Sequence, residues 1–512
     1  MSEKQSQWSA LIRSEDWLAV WLGFLIIILV IAGLTIKTPQ FKWTTEGEFK
    51  TLIGEAIPNL AVIAKTAGEK GESAFQAQAV TLKTAMEKGD RNGVADAAKK
   101  FQAEAKQIKD ASLKKKASQF GKEIGDGASN LTEKVFESEN LSKSLYIGVG
   151  ILILSAIALA FMSVNVARFA IGFPVVFILA WLSLFIAGNS TVNYYGLEYV
   201  LWCLALGLLI SNVIGVPNWL LPAVRTEFYI KTGLVILGAN ILFGEILEAG
   251  ALGMIQGVLV VAVIWYACYW ICMKLKIDEE FAAILSSAVS ICGVSAAIAT
   301  SGAIKGDPKK LSYTTSLVLI CAVPMLVLQP MISKWFGIPD EVAGAWLGGT
   351  LDTSGSVVAA GALISDTAMK VGVIVKMSQN VLIGVAAFIL AVVWTFKTAE
   401  KNPGAQKPGL IEIWVRFPKF VLGFMAASIL FSFILSPQTV GAAKSSLGGI
   451  RTIWFALAFT SIGLETNFRE ISTMGGGRPA AAFLMAQGLN IIWTLILAYL
   501  IFGGYLFPVP KF

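Results

Sequence analysis

The chain contains no histidine. Histidine general bases, Ser-His-Asp triads and His-ligated metals are therefore excluded. Charge is also scarce: 15% of the 512 residues are Asp, Glu, Lys or Arg, against about 25% in ordinary soluble proteins. Cysteine is confined to five positions, Cys203, Cys268, Cys272, Cys292 and Cys321, all in apolar sequence. Cys268 and Cys272 share a helix face, but with no histidine or further cysteine beside them they read as small buried hydrophobes rather than a zinc site. No G-x-x-x-x-G-K-[ST] motif occurs, so ATP drive within this chain is unsupported. No nucleophile–base pair stands out, and the expectation is a protein that is not an enzyme, uses no cofactor or metal and binds no nucleic acid.

Apolar sequence dominates what remains, at 55% of the chain. A bilayer crossing takes about 20 apolar residues, and thirteen segments qualify: 17–36, 144–163, 168–188, 195–214, 226–246, 250–274, 279–303, 311–334, 340–364, 369–396, 414–435, 447–466 and 480–505. The N-terminal stretch "MSEKQSQWSALIRSEDW" is too long and acidic for a signal n-region, so the first segment reads as a retained helix. The fold class expected is an all-α polytopic membrane protein. Basic residues in alternate loops, at Arg168, Arg225, Lys274, Lys276, Lys334, 397–419, Arg469 and Arg478, favour a cytoplasmic N-terminus, while the loops at 189–194 and 247–249 carry none. One loop disagrees: "KGDPKK" (305–310) falls outside with three lysines, either as an exception or because a neighbouring segment is re-entrant.

Residues 37–143 differ in character. They hold 18 of the 41 basic and 15 of the 34 acidic side chains and no cysteine. Phe75, Val80 and Met86, then Val94, Phe101 and Ile108, recur at helical spacings on either side of the turn "KGDRNG". The domain organisation expected is 1–36, an N-terminal tail and first membrane helix; 37–143, a soluble amphipathic helical hairpin or bundle outside the cytoplasm; and 144–512, the membrane domain. The insertion reads as an accessory cap, with a partner-binding or gating module as the alternative.

The membrane domain repeats itself. "GANILFGEILEAG" (238–250) matches "GLETNFREISTMG" (463–475): Gly238, Phe243, Glu245, Ile246 and Gly250 recur as Gly463, Phe468, Glu470, Ile471 and Gly475. The next helices echo too, "MIQG" (254–257) in "MAQG" (485–488), which pairs Gln256 with Gln487. An odd number of helices separates the copies, as in the inverted repeats of secondary transporters; generic helix pairs with glycines at their contacts are the alternative.

Polar residues inside apolar spans are expensive and so mark candidate sites. "SSAVSICGVSAAIATSG" (286–302) is small and hydroxyl-rich around Cys292, Gly293 and Ser295. It can pack closely against a neighbour, or unwind so that a half-helix N-terminus faces a cavity and attracts an anion. "GGTLDTSGSVVAAGA" (348–362) places Asp352 about a dozen residues from either end of its segment, with Thr353, Ser354, Gly355 and Ser356 beside it. Unpaired there, Asp352 would take a proton or a cation, or pair with a lysine. The candidate lysine is Lys376, in a polar cluster with Gln379 and Asn380; snorkelling is its plainer explanation. Lys231 and Glu465, close to segment ends, are balanced between site and snorkelling. Ser312, Thr315 and Ser316 can face the site or bond their own helix, which Pro324 is expected to kink.

"SICGVSAAIA", "LGGTLDTSGSVVAAGA…VKMSQNVL" and "AFTSIGLETNFREISTMGGGRP" together resemble the YeiH-type family assigned to sulfate export, over roughly residues 144–505. That family is grouped with the bile-acid/sodium symporters and sodium/proton antiporters. The resemblance implies paired inverted repeats, discontinuous helices crossing at mid-membrane, an elevator-like or rocking alternating-access cycle, a homodimer, and a bacterial plasma (inner) membrane. Two departures are plain: residues 37–143 are outside the family's usual pattern, and a His-Glu pair common in relatives near Asp352-Thr353 is absent. The function expected is a proton-coupled secondary-active exporter of a small anion, sulfate or an organosulfur anion. Substrate would be held by Cys292, Gly293, Ser295, Thr353, Ser354, Gly355, Ser356, Lys376, Gln379, Asn380, Gln256 and Gln487, and Asp352 would carry the coupling ion, H+ or Na+. The alternatives are a sodium-coupled importer of an organic anion, and a channel or sensor with an outer ligand domain.

Overall fold

The computed structural model describes residues 11–34, 36–162, 164–195, 197–399, 414, 417–467 and 477–510. The protein is an all-α polytopic membrane protein. Among the described residues there are no strands, and eight helices are long and apolar enough to cross a membrane. The chain divides into two compact units, Lys37–Val149 with Leu182–Tyr199, and the remainder.

The smaller unit contains four amphipathic helices, Glu46–Glu69, Ser73–Lys88, Arg91–Ala105 and Ala111–Ser129. Their starts are written in the sequence. Thr45 and Glu48 form a capping box, and Asp90 and Asp110 cap the third and fourth helices. Gly89, at φ 71°, makes the turn within "KGDRNG". Phe49, Leu60, Phe75, Leu82 and Phe101 fill the core. Arg91 is buried, donating to the carbonyls of Thr44, Gly127 and Ala128 and to Glu46. One guanidinium thereby satisfies backbone from two separate stretches of chain.

In the larger unit every expected segment is helical, but two are not crossings. Glu279–Ile304 is interrupted at a π-turn, Ala288–Cys292, and doubles back. Its two ends lie together: Asp307 N donates to Glu280 at 2.6 Å, Lys310 pairs with Asp278 at 2.7 Å, and Phe281 meets Tyr313 edge-on. Its returning half packs Ala296 and Ala299 against Ile383 and Ala387. The segment 340–364 behaves likewise. Its arms are Asp340–Thr350 and Ser354–Ile364, and both reach the start of the helix Asp366–Ala399: a Cβ on Gly344 would touch Ala368, one on Gly361 would touch Met369, and one on Gly372 would touch both arms. The expected discontinuous crossing helices are thus two re-entrant hairpins. The cause is local: Gly293 takes φ +44°, and Leu351 and Thr353 are extended. Neither conformation continues an α-helix.

Making both segments re-entrant changes the topology. The helix Pro308–Trp335 carries the chain from one hairpin to the other, so the two enter from opposite faces of the membrane and their tips meet between them. It also returns "KGDPKK" to the side of Lys274 and Lys276, and carries Lys334 to the opposite side. The first connection in the repeat moves as well. The helix from Thr226 ends at Gly238 and the next starts at Phe243, with Glu245 accepting from Leu242 N, so 247–249 lies inside a helix and is not a loop. In the second copy, Phe468, Glu470, Ile471 and Gly475 lie outside the described residues.

Contacts sort the larger unit into two bundles. Glu15–Ile31, Thr226–Gly238, Lys419–Ile429 and Pro437–Glu465 pack on one another. Phe243–Lys274, both hairpins, Pro308–Trp335, Asp366–Ala399 and Arg478–Phe502 form the second bundle, which touches the first at few places. In the first bundle Gly23 lies against Val235, and Gly423 against Val20 and Val235, so three backbones approach closely.

The hairpin topology predicts that Lys276→Cys and Lys309→Cys react with an impermeant maleimide from the same membrane face. The native cysteines are buried and give a low background. Labelling from opposite faces would show that 279–304 crosses.

Candidate functional site

The hairpin tips make the site. Gly293, at the tip of the first hairpin, leaves no room for a side chain: a Cβ would stand 2.5 Å from Val318 and 3.0 Å from the Cβ of Asp352. Only glycine combines that backbone angle with that approach. Asp352, at the tip of the second hairpin, is 2% exposed. Its neighbour Thr353 caps the returning arm, accepting from Ser356 N at 3.1 Å and pairing with the Ser356 hydroxyl at 2.8 Å.

Breaking two helices in an apolar core exposes carbonyls with no partner in their own helix. Side chains from neighbouring helices meet them. Lys376 donates to Ile291 O at 2.5 Å, and Gln379 to Ser290 O at 2.9 Å, both at the end of the entering arm of the first hairpin. A cation there also complements the negative end of a helix dipole. Gln487 donates to Thr350 O at 2.9 Å at the end of the entering arm of the second hairpin, and Gln256 reaches Ala345 O at 2.8 Å within that arm. Asn490 donates to Val289 O at 3.2 Å, and Gln329 to the Thr350 hydroxyl at 3.0 Å. Asn490 and Gln329 escaped the sequence reading. Their signal was available, since each is an amide inside an apolar span.

A cavity of about 380 Å3 runs between the two bundles to these tips. Of the residues expected in the site, Cys292, Ser295, Asp352, Thr353, Ser354 and Asn380 line it. Gly293, Gly355, Ser356, Lys376, Gln379, Gln256 and Gln487 stand behind its wall. Three of these expectations are corrected by geometry. Lys376 does not offer its charge to the cavity, because its ammonium is occupied by Ile291 O and Gln379 Oε1. No ion pair joins Lys376 to Asp352 among the described residues. Gln256 and Gln487, the repeat mates, brace one helix arm instead of lining the cavity. Asp352 Oδ2 and Asn380 Oδ1 are buried and accept no hydrogen bond.

The opposite wall comes from the first bundle: Asp16, Trp17, Glu227, Lys231 and 417–420. Lys231 is held by Glu15 at 2.8 Å, Asp16 at 2.9 Å and Glu227 at 3.6 Å. Asp16 also accepts from Lys419 N at 2.9 Å, tying the starts of three helices together. Since Asp16, Glu227 and Lys419 all sit at helix starts on the N-terminal side, the cavity opens to that side. Glu465, at an exposed helix end, is not among the residues that line the cavity. The side chain of Ser312 lies outside those described. Pro324 lies within Pro308–Trp335.

Comparison with known proteins agrees with a membrane protein. The family model "Conserved hypothetical protein 698" matches residues 171–482. A UPF0324 membrane protein of Rhodopirellula baltica is 38% identical over 98% of this chain and 91% of its own length. The chain belongs to the UPF0324 membrane-protein family. Another member, from Nitratidesulfovibrio vulgaris, is 40% identical over 68% of this chain and 62% of its own length, and one from Nitrosomonas europaea is 33% identical over 63% and 76%. The Rhodopirellula alignment extends through residues 37–143, whereas the family model begins after them. No solved structure matches.

Gly293→Ala is expected to destabilise the UPF0324 protein in detergent by about 2–4 kcal/mol, from clash plus a strained left-handed backbone. Thermal unfolding of the purified variant measures it. A melting temperature unchanged from wild type would show that the tips do not meet at this distance.

Proposed function

We propose that this UPF0324 protein is a secondary-active transporter of a small anion, with Asp352 carrying a coupling proton. The observation that carries the reading is the cavity between two bundles, ending on two re-entrant tips that enter from opposite faces. Irregular backbone at membrane depth is tolerated where it lines such a cavity, and substrate sites of secondary transporters lie at broken helices of this kind. A bundle that holds both tips can shift as one body against the other bundle and open the site first to one face, then to the other.

The residues divide the work. The N-terminal ends of Gly293–Ile304 and Ser354–Ile364 offer backbone N–H groups and positive dipole ends to an anion. Asp352, buried with an unpartnered oxygen, is costly as a lone charge and is relieved by a proton. Lys376, Gln379, Gln256 and Gln487 keep the broken arms rigid, so the tips stay registered while the bundle moves.

Lys274, Lys276, Lys305, Lys309, Lys310 and Lys419 fall on the N-terminal side, which supports a cytoplasmic N-terminus in a bacterial inner membrane. On that orientation the cavity faces inward, ready to load cargo for export. The resemblance to the sulfate-exporter family supports sulfate or an organosulfur anion as that cargo.

Purified protein in proteoliposomes tests the proposal. Wild type is expected to move anion in response to an imposed pH gradient. Asp352→Asn, which cannot release a proton, should lose that response by about a hundredfold or more, while keeping any exchange of anion for anion. Unchanged pH-driven flux in Asp352→Asn would remove Asp352 from coupling.

A further inference from the structure

The cavity wall is not that of a simple anion site. The lysines nearest to it are all engaged by hydrogen bonds among the described residues. Lys231 is held by three carboxylates, Lys376 by Ile291 O and Gln379, and Lys419 by the carbonyls of Trp414 and Phe417. Asp16, Glu227 and Asp352 line the same cavity. A bare dianion would meet Asp16 and Glu227, which share the single charge of Lys231 with Glu15.

The cavity nevertheless borders two kinds of unmet polar group, one on its wall and one buried beside it. One is the first turn of Gly293–Ile304, which no side chain caps; Val294 and Ser295 of that turn line the cavity. Its N–H groups suit an anionic oxygen. The other is a pair of acceptors, Asp352 Oδ2 and Asn380 Oδ1, on residues 2% and 3% exposed, neither with a hydrogen-bond partner. The amide nitrogen of Asn380 is already used, donating to the Ser354 hydroxyl at 3.3 Å. An acceptor buried without a donor costs free energy until a donor arrives.

From this we infer that the ligand is a small monoanion carrying its own O–H or N–H donor, in preference to a bare dianion such as sulfate. The inference rests on the reading of the cavity as an anion-transport site and narrows its substrate class. The anionic end lies against the helix N-terminus, and the donor end meets Asn380 Oδ1 or Asp352. Sites whose buried polar groups expect a hydrogen bond reject analogues that lack it, because those groups are then left unpaired.

Equilibrium binding to purified full-length protein in detergent, by titration calorimetry at neutral pH, tests this with three probes. 2-Hydroxyethanesulfonate carries one charge and a donor, ethanesulfonate one charge and no donor, and sulfate two charges and no donor. The expected order is 2-hydroxyethanesulfonate tightest, by about tenfold or more over ethanesulfonate, with sulfate weakest. Asn380→Ala should shrink the preference for 2-hydroxyethanesulfonate over ethanesulfonate several-fold. If that variant does not fold, the probe order on the unaltered protein decides alone. Equal affinity for both sulfonates, or sulfate binding tightest, overturns the inference and leaves anion transport standing. Binding that needs sodium in place of choline and ignores the hydroxyl also overturns it, since a cation would then be the partner of the two acceptors. Binding of none of the three overturns both readings. The expected order without any flux in proteoliposomes would leave the inference and remove the transport reading.

Discussion

The structure depends on a single constraint: two helices are broken inside an apolar core, and their freed carbonyls must find donors. In a bilayer no water supplies them, and each unmet group costs several kcal/mol. Lys376, Gln379, Gln487 and Asn490 supply them from two surrounding helices. The polar residues that stand out in the apolar sequence are therefore of two kinds. One set holds the broken arms. The other, Asp352, Asn380, Thr353, Ser354 and Ser295, faces the cavity those arms create.

That division accounts for how much could be read from the sequence. Helices were legible from apolar run length, and the two interruptions from Gly293 and from the polar cluster at Asp352. Their direction after the break was not legible. A hairpin and a kinked crossing share the same composition, and only contacts such as Asp307 with Glu280 tell them apart. The charge pattern held the clue, since three lysines in "KGDPKK" conflicted with a crossing and fit a hairpin. Lys376 was rightly singled out as buried, but its partner was not legible: a backbone carbonyl carries no sequence signature, so the acid at Asp352 looked like the natural mate.

The same geometry joins fold to function. Because the arms are rigidly capped from within their own bundle, the tips and the cavity floor belong to one body. The first bundle contributes the facing wall, with Asp16 fastening Lys231 and the start of Lys419–Ile429. On the proposed transport reading, sliding these two bodies past one another would change which face the cavity meets and leave the tips intact. Within such a scheme an acid at the tip is well placed to sense loading, because it stands where the two helix ends meet the cavity. The smaller helical unit has its own core and its own hub at Arg91, so its folding is accounted for without reference to the transport site.

The claim that Asp352 holds an exchangeable proton at the hairpin junction is tested most directly by infrared difference spectroscopy on the reconstituted protein, recorded with and without anion. The account predicts a change in the carbonyl stretch of a protonated carboxylic acid that is present in wild type and missing in Asp352→Asn. A spectrum with no such band, or one that persists in the variant, would contradict it.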